Sequence, residues 1–307
     1  MDWRIVTDYL KRSPQVLKLA DALGRSRGRV RPLGGFFRPR PSPQMDLQRL
    51  SDSRFGLAVG WIGHATCLIR LGSSIFLTDP VFASRVGLGL GPVRLGPKRL
   101  VAPALSIDQL PPLAGILITH AHLDHLDRPS LYRLARHMPD VPLVIAHQTR
   151  DLVDDLGFTA IHELRVGESI ELGGNRIAAT EVNHWGARTF LDTHRGYNGF
   201  LLSNPSHRAY FAPDCAAPDD TLAARLRSLA PVDVAIVGIG AYQPYVQAHA
   251  TPEQAAVIAE LVGARRIAAI HHSTFRLSAE PMHEPLARMK AATTKLALEH
   301  IGDVFVA

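Results

Sequence analysis

The sequence predicts a layered α/β fold with mixed β-sheets, and three observations carry that prediction. Short apolar runs bounded by turn residues recur from residue 57 onward. The first of these runs are separated only by turns, which is the pattern of antiparallel strands. Later runs alternate with segments of helical periodicity, the pattern of parallel strands joined by crossovers. The chain has 307 residues and is 46% hydrophobic, enough for one large α/β domain with a substantial core.

The elements follow in order. Residues 4–23 read as helical, with Ser13 as N-cap, Pro14 at the first helical position and Val16, Leu17, Leu19, Ala20 and Leu23 on one stripe. "GRSRGRVRPLGGFFRPRPSP" (24–43) reads as an irregular linker or wrapping arm. "LAVGWI", "TCLIRL" and "SIFLT" open the strand series, with "GSS" at 72–74 as a hairpin turn. "AGILIT", "PLVIA", "RIAATEV", "GFLLS", "RAYFA", "VDVAIVGI" and "RRIAAI" continue it. Helices are expected at 129–138, 148–156, 221–229, 252–262 and 284–298. The fourth has the best start signal: Thr251 caps, Pro252 suits the first turn and Gln254 completes a capping box. The chain therefore divides into a basic arm, 1–50, and a body, 51–307.

Charge separates the two parts. The first fifty residues carry eleven Lys/Arg against four Asp/Glu, a net +7, while the remainder carries 23 against 24. A near-neutral body argues against nucleic acid as a partner. The arm suits peripheral contact of residues 1–40 with an anionic membrane surface. It equally suits wrapping of the fold or of a partner subunit in a homo-oligomer. No apolar stretch reaches the ~18–20 residues of a membrane span, and the N-terminus has no secretory apolar region. Cys67 and Cys215, far apart and outside any CxxC pattern, suggest free thiols and a reducing, cytoplasmic location.

The chemistry concentrates at "HAHLDH". His120 and His122 lie two apart after the apolar run "AGILIT", so in extended backbone both point one way. Asp124 and His125 follow and can face a second point. Imidazole and carboxylate together suit zinc, manganese or iron. Further ligand types end apolar strands: His184 after "RIAATEVN", Asp214 after "RAYFAP" and His271 after "RIAAI". His272 competes with His271, and strand alternation would let only one face the site. Other histidines, such as His137, His147 and His300, read as surface or packing residues.

These segments resemble the metallo-β-lactamase superfamily, whose H-x-H-x-D-H signature "HAHLDH" matches. "WIGHATCLIRL", "FLTDPVF", "GPKRL", "LPPLAGILITHAHLDHLD", "GIGAYQP" and "AIHHSTF" are most similar to the branch of N-acyl-phosphatidylethanolamine-hydrolysing phospholipase D. The resemblance spans roughly 57–277. It implies a four-layer αββα sandwich of two mixed β-sheets flanked by helices. It also implies two divalent ions, with zinc favoured over manganese or iron. His120, His122 and His184 would hold one ion, Asp124, His125 and His271 the other, and Asp214 would bridge them. Asp124, Asp214 and His249 are then the expected catalytic residues. Asp79 is expected to orient a ligand histidine, and His64 to lie near the site. Pro213, Cys215 and His272 depart from the branch's usual residues.

Two ions sharing a water serve hydrolysis without a Ser or Cys nucleophile. No GxSxG elbow or P-loop is present, and "GLGLGP" lacks the flanking strand and helix of a dinucleotide fingerprint. The leading expectation is a phosphodiesterase acting on a small-molecule or lipid-like phosphodiester. A lactonase or acyl hydrolase, or a metal-binding regulator with vestigial catalysis, are the alternatives. Residues 84–100, apolar and basic, could meet an acyl chain and a phosphate together, or be a disordered surface loop. Tyr242 could donate to a substrate oxygen or serve packing.

Overall fold

The computed structural model describes residues 39–90, 93–189 and 192–307. The helix expected at 4–23 and most of the arm lie outside the described residues.

Sixteen strands run in chain order among the described residues. They are β1 (Leu57–Gly63), β2 (Thr66–Leu71), β3 (Ser74–Thr78), β4 (Leu88–Leu90), β5 (Val93–Leu95), β6 (Gly115–Ile118), β7 (Leu143–Ala146) and β8 (Ile161–Leu164), then β9 (Ser169–Leu172), β10 (Asn175–Thr180), β11 (Gly199–Ser203), β12 (Arg208–Ala212), β13 (Val232–Gly238), β14 (Ala264–Ile270), β15 (Leu296–Leu298) and β16 (Val304–Val306). The helices are α1 (Leu47–Ser51), α2 (Arg128–His137), α3 (Asp220–Ser228), α4 (Pro252–Leu261) and α5 (Glu284–Ala292).

Two seven-stranded sheets form, ordered β16-β1-β2-β3-β6-β7-β8 and β15-β14-β13-β12-β11-β10-β9. Each is antiparallel at one end and parallel at the other: β1–β2–β3 are antiparallel and β3–β6–β7–β8 parallel. In the second sheet β9–β12 are antiparallel and β12–β15 parallel. The mixed sheets are the predicted ones.

Side-chain alternation shows the layers. Phe200, Leu202, Phe211, Val234, Ile236, Ala268 and Ile270 pack with β1–β3, β6 and β7 in one core between the sheets. Their neighbours Leu201, Tyr210, Ala235, Val237, Ile267 and Ala269 face the other way, onto Leu222 and Leu226 of α3 and Ala255, Ile258 and Ala259 of α4. On the far side, Leu131 and Leu134 of α2 close over the first sheet. The result is the αββα sandwich.

Local signals explain the helix starts. Asp127 caps α2 by accepting from the Ser130 backbone N–H, and Asp219 caps α3 the same way at Leu222. Thr251 and Gln254 form the expected capping box of α4. Two expected helices are corrected. Residues 148–156 form two single 3-10 turns, Arg150–Leu152 and Asp154–Leu156. Glu163 takes the N–H groups of Thr149 and Arg150, and Arg195 grips the Gln148 carbonyl and Asp151, so this segment follows tertiary partners. The helix expected over 284–298 stops at Ala292, and Leu296–Leu298 pairs in parallel with β14. An open sheet edge outweighs helix propensity in that short stretch.

The described residues of 84–100 are not an irregular loop. β4 and β5 pair as a hairpin whose base is closed at Gly87 and Gly96. A Cβ on either glycine would lie 2.0 Å from a carbonyl oxygen, of Leu95 or Val86, so both positions require glycine. Arg94 ties the hairpin to Asp127, 2.5 Å away, the residue that caps α2.

Candidate metal centre

Strand direction gathers the chemistry at one edge of the sandwich. Asp79 follows β3, Thr119 and His120 follow β6, Asp214 follows β12, and His271 follows β14. β10, antiparallel to β11, runs in the same sense as β12 and delivers His184 to the same edge. The loop after β13 carries His249. Parallel strand ends are where such sheets leave room for a site. Gly238, ending β13, permits the closeness: a Cβ there would lie 1.8 Å from the Pro213 carbonyl oxygen, beside Asp214.

The predicted residues converge into two groups. His120 Nε2 lies 2.8 Å from His122 Nδ1, which lies 3.3 Å from His184 Nε2. Asp214 Oδ2 stands 3.5 Å from both His120 and His184 Nε2. In the second group His125 Nε2 and His271 Nε2 are 3.3 Å apart. Asp124 Oδ2 is 3.7 Å from each of them, and Asp214 reaches each at 3.1 Å. Asp214 thus stands between the groups. Atoms coordinated at 2.0–2.1 Å around a tetrahedral ion sit about 3.3 Å apart, close to the spacing of both groups.

Outer hydrogen bonds set the tautomers. His125 Nδ1–H donates to Asp79 Oδ2 at 2.8 Å. The Thr119 hydroxyl donates to the same oxygen at 2.7 Å and accepts from His120 Nδ1–H at 2.9 Å. His184 Nδ1–H donates to the Ala248 carbonyl at 2.8 Å. Three Nε2 atoms are therefore aimed inward, the orientation that ligand histidines require. Asp79 serves both groups, one directly and one through Thr119.

The electrostatics call for cations. Both oxygens of Asp214 are buried without a hydrogen bond, as are His122 Nε2 and His271 Nδ1. A buried carboxylate left so is costly without positive charge beside it. Burial pushes His120 well below the usual imidazole value, His122 down to about 4 and His184 down to about 3, so these rings are neutral lone-pair donors. Burial also disfavours a charged His125, but Asp214 and Asp124 outweigh it and hold that ring protonated, with its pKa well raised. Asp214 is held well below the carboxylate range because His125, His271 and His249 outweigh its burial. The residues present suit divalent ions: neutral imidazoles in one group, and in the other two carboxylates that a proton on His125 otherwise balances.

Other expectations resolve individually. His249 Nδ1 is 3.9 Å from Asp214 Oδ1, and its ring lies 5.2 Å from that of His184. His64 Nε2 is 3.1 Å from Asp124 Oδ2. Tyr242 does not face the site: its hydroxyl donates to Glu284 Oε1 at 2.7 Å, beneath Arg288. His271 has a left-handed backbone, φ 62°, so it ends β14 and simple alternation does not apply to it. Its ring enters the site, whereas His272 packs against Trp61 at 4.7 Å and meets the Ser273 hydroxyl at 2.9 Å. His271→Ala is accordingly expected to lose bound metal, and His272→Ala to keep it while losing stability. Elemental analysis of both purified variants checks this, and the reverse pattern would refute it.

Residues absent from the sequence reading also shape the site. Arg188 donates to the carbonyls of Ala121 (2.8 Å) and Leu126 (2.9 Å), strapping the "HAHLDH" loop. The Trp185 ring stands 4.7 Å from His122. Thr119 and Trp185 sit beside His120 and His184 in sequence, and that adjacency was the available signal; Arg188 had none. The groove of about 550 Å³ lined by Leu201, Leu222 and Leu226 includes none of the site residues.

A family profile described as "Beta-lactamase superfamily domain" matches residues 75–272. This chain belongs to that superfamily. N-acyl-phosphatidylethanolamine-hydrolysing phospholipase D 1 of Caenorhabditis elegans is 31% identical over 252 residues, covering 78% of this chain and 70% of the relative. A metal-dependent hydrolase of Pyrobaculum aerophilum is 26% identical, covering 81% of this chain and 99% of its own. The solved structure of a metallo hydrolase from Ignicoccus hospitalis shares the fold, with TM-score 0.61 at 18% identity over 82% of this chain and 98% of that one. The chain is thus a metal-dependent hydrolase of the metallo-β-lactamase fold. Among the described residues, no helix is long and apolar enough to cross a membrane.

Proposed function

We propose that the protein is a dinuclear phosphodiesterase of phospholipase D type, acting on a lipid-like phosphodiester. The observation that carries this reading is the meeting of two ligand-atom groups at the one carboxylate of Asp214. The C. elegans relative, named for hydrolysis of a phospholipid, supports the substrate class.

In this reading His120, His122 and His184 would hold one ion, Asp124, His125 and His271 the other, and Asp214 would contribute to both. Zinc best suits the imidazole-rich donors. When bound, such a pair supplies Lewis acidity and an acidified water. The chain's own groups do the rest. Asp79 and Thr119 hold ring orientation, so the ligands need no rearrangement during reaction. Asp124, 19% exposed at its side chain, marks the side open to solvent and hence to substrate. His249, which burial holds neutral with a pKa pushed down to about 3, can offer a hydrogen bond from its ring N–H beside Asp214, but carries no extra proton to transfer.

The test is metal analysis followed by turnover assays on a phospholipid diester, a soluble phosphodiester and a lactone. Two ions per chain with preference for the phospholipid is the expected outcome. Faster lactone hydrolysis would replace the substrate assignment. Full metal occupancy without turnover on any substrate would overturn the enzyme reading.

A further inference from the structure

The turn between β1 and β2 reaches into the metal centre, and the proposed function gives it no task. His64 sits at that turn with φ 56° and is 1% exposed. Non-glycine residues hold left-handed backbone only where surrounding contacts enforce it. Here the contacts are explicit. The His64 backbone N–H donates to Thr274 Oγ1 at 2.7 Å. Its carbonyl accepts from Trp61 Nε1 at 2.8 Å and from the backbone N–H of His271 at 3.1 Å. The ring lies over that of His271, centroids 4.1 Å apart, and is met edge-on by Phe275. Its Nε2 points at Asp124 Oδ2, 3.1 Å away across sixty residues of sequence.

We propose that His64 is a positioning residue for the second ion's site: its Nε2–H holds the Asp124 carboxylate, while its carbonyl holds the backbone of His271. This rests on the two-ion reading above. The side chain that His64 grips is the most solvent-exposed carboxylate of the centre, with 19% of its surface accessible against 2% for Asp214. A carboxylate at an open rim rotates unless a neighbour fixes it. Asp214 is enclosed by rings on all sides and needs no such partner. His64 therefore acts on one ion's site and leaves the other untouched, because no hydrogen bond links it to His120, His122 or His184. An orienting partner of this kind changes metal affinity by about 10–100-fold.

The experiment titrates metal-free full-length protein with Zn²⁺ against a chromophoric chelator. The binding step lost in Asp124→Ala defines the second site. In His64→Ala that same step weakens by about 10–100-fold while the other step keeps its affinity. His64→Gln, which retains an N–H at similar reach, restores it to within a few-fold of wild type. His64→Asn tolerates the left-handed turn but is too short to reach Asp124, so it behaves as the alanine variant does. Wild-type affinity in His64→Asn would reduce His64 to a turn residue and overturn the proposal. So would equal weakening of both steps, or a glutamine variant as weak as the alanine. Wild-type protein showing a single step would overturn the two-ion reading itself and this proposal with it.

Discussion

Asp214→Ala is expected to lose at least one bound ion and to hydrolyse its substrate about a thousandfold more slowly than wild type. Asp214 touches both ligand groups: Oδ2 is 3.1 Å from His125 and 3.5 Å from His120 and His184, and Oδ1 is 3.1 Å from His271. This one carboxylate thus lies within 3.5 Å of ring nitrogens in both groups. An ion's charge at the reacting oxygens is worth several kcal/mol. At about 1.36 kcal/mol per decade, losing it costs roughly a thousandfold. Asp214→Asn separates charge from shape, since it fills the same space without the negative charge the ions require. It is expected to resemble the alanine variant in metal content while folding more stably. Elemental analysis and turnover on the same preparations decide the matter. Full occupancy in Asp214→Ala would remove the bridging assignment.

The second large effect concerns acid. Metal-free protein is expected to lose stability steeply between about pH 6.5 and 4. Burial pushes His64, His184, His249 and His272 down to about 3 and His122 to about 4. Their folded values lie below the ordinary imidazole value, so over this window the unfolded chain binds more protons. Stability from keeping these rings neutral is complete above about pH 6.5 and falls as pH falls. Each ring contributes about 1.4 kcal/mol per pH unit, so five together give a slope on the order of 5–7 kcal/mol per unit. That exhausts a typical domain stability of about 5–15 kcal/mol within one to two pH units. His125 has the opposite shift, being raised by Asp214 and Asp124. Its stabilisation is present below the ordinary value and lost only as pH rises through the raised one. Within the acid window His125 is protonated in both states and adds no slope. Urea midpoints of chelator-treated protein from pH 7 to pH 4 measure this directly. A flat profile would show that these rings are not held neutral in the fold.

Much of the architecture was legible because its signals are local. Alternating apolar residues, turn residues and caps act over two to four positions, so β1–β3, β6, β7 and β10–β14 and the start of α4 could be read from the sequence. The elements misread were those whose conformation is decided by distant partners. Leu296–Leu298 is strand because β14 offers an edge, and 148–156 is two turns because Arg195 and Glu163 hold it.

The site divides along the same line. The sequence by itself determined the donor types: four within six residues at "HAHLDH", and three more, each following an apolar strand. Strand ends of common direction must share one edge of a sheet, which is why His184, Asp214 and His271 meet that motif. Only the tertiary structure decided how the donors are held. Asp79 reaches His125 across 46 positions, Arg188 reaches the Ala121 carbonyl across 67, and His64 reaches Asp124 across 60. It also placed the His271 ring beside Asp124 and Asp214 and the His272 ring against Trp61, through a left-handed residue that breaks strand alternation. Such hydrogen bonds depend on strand order within the first sheet, for Asp79 and His64, and on how the two sheets are stacked, for Arg188. No periodicity or spacing in the sequence encodes that stacking, because it arises from the packing of the whole inter-sheet core.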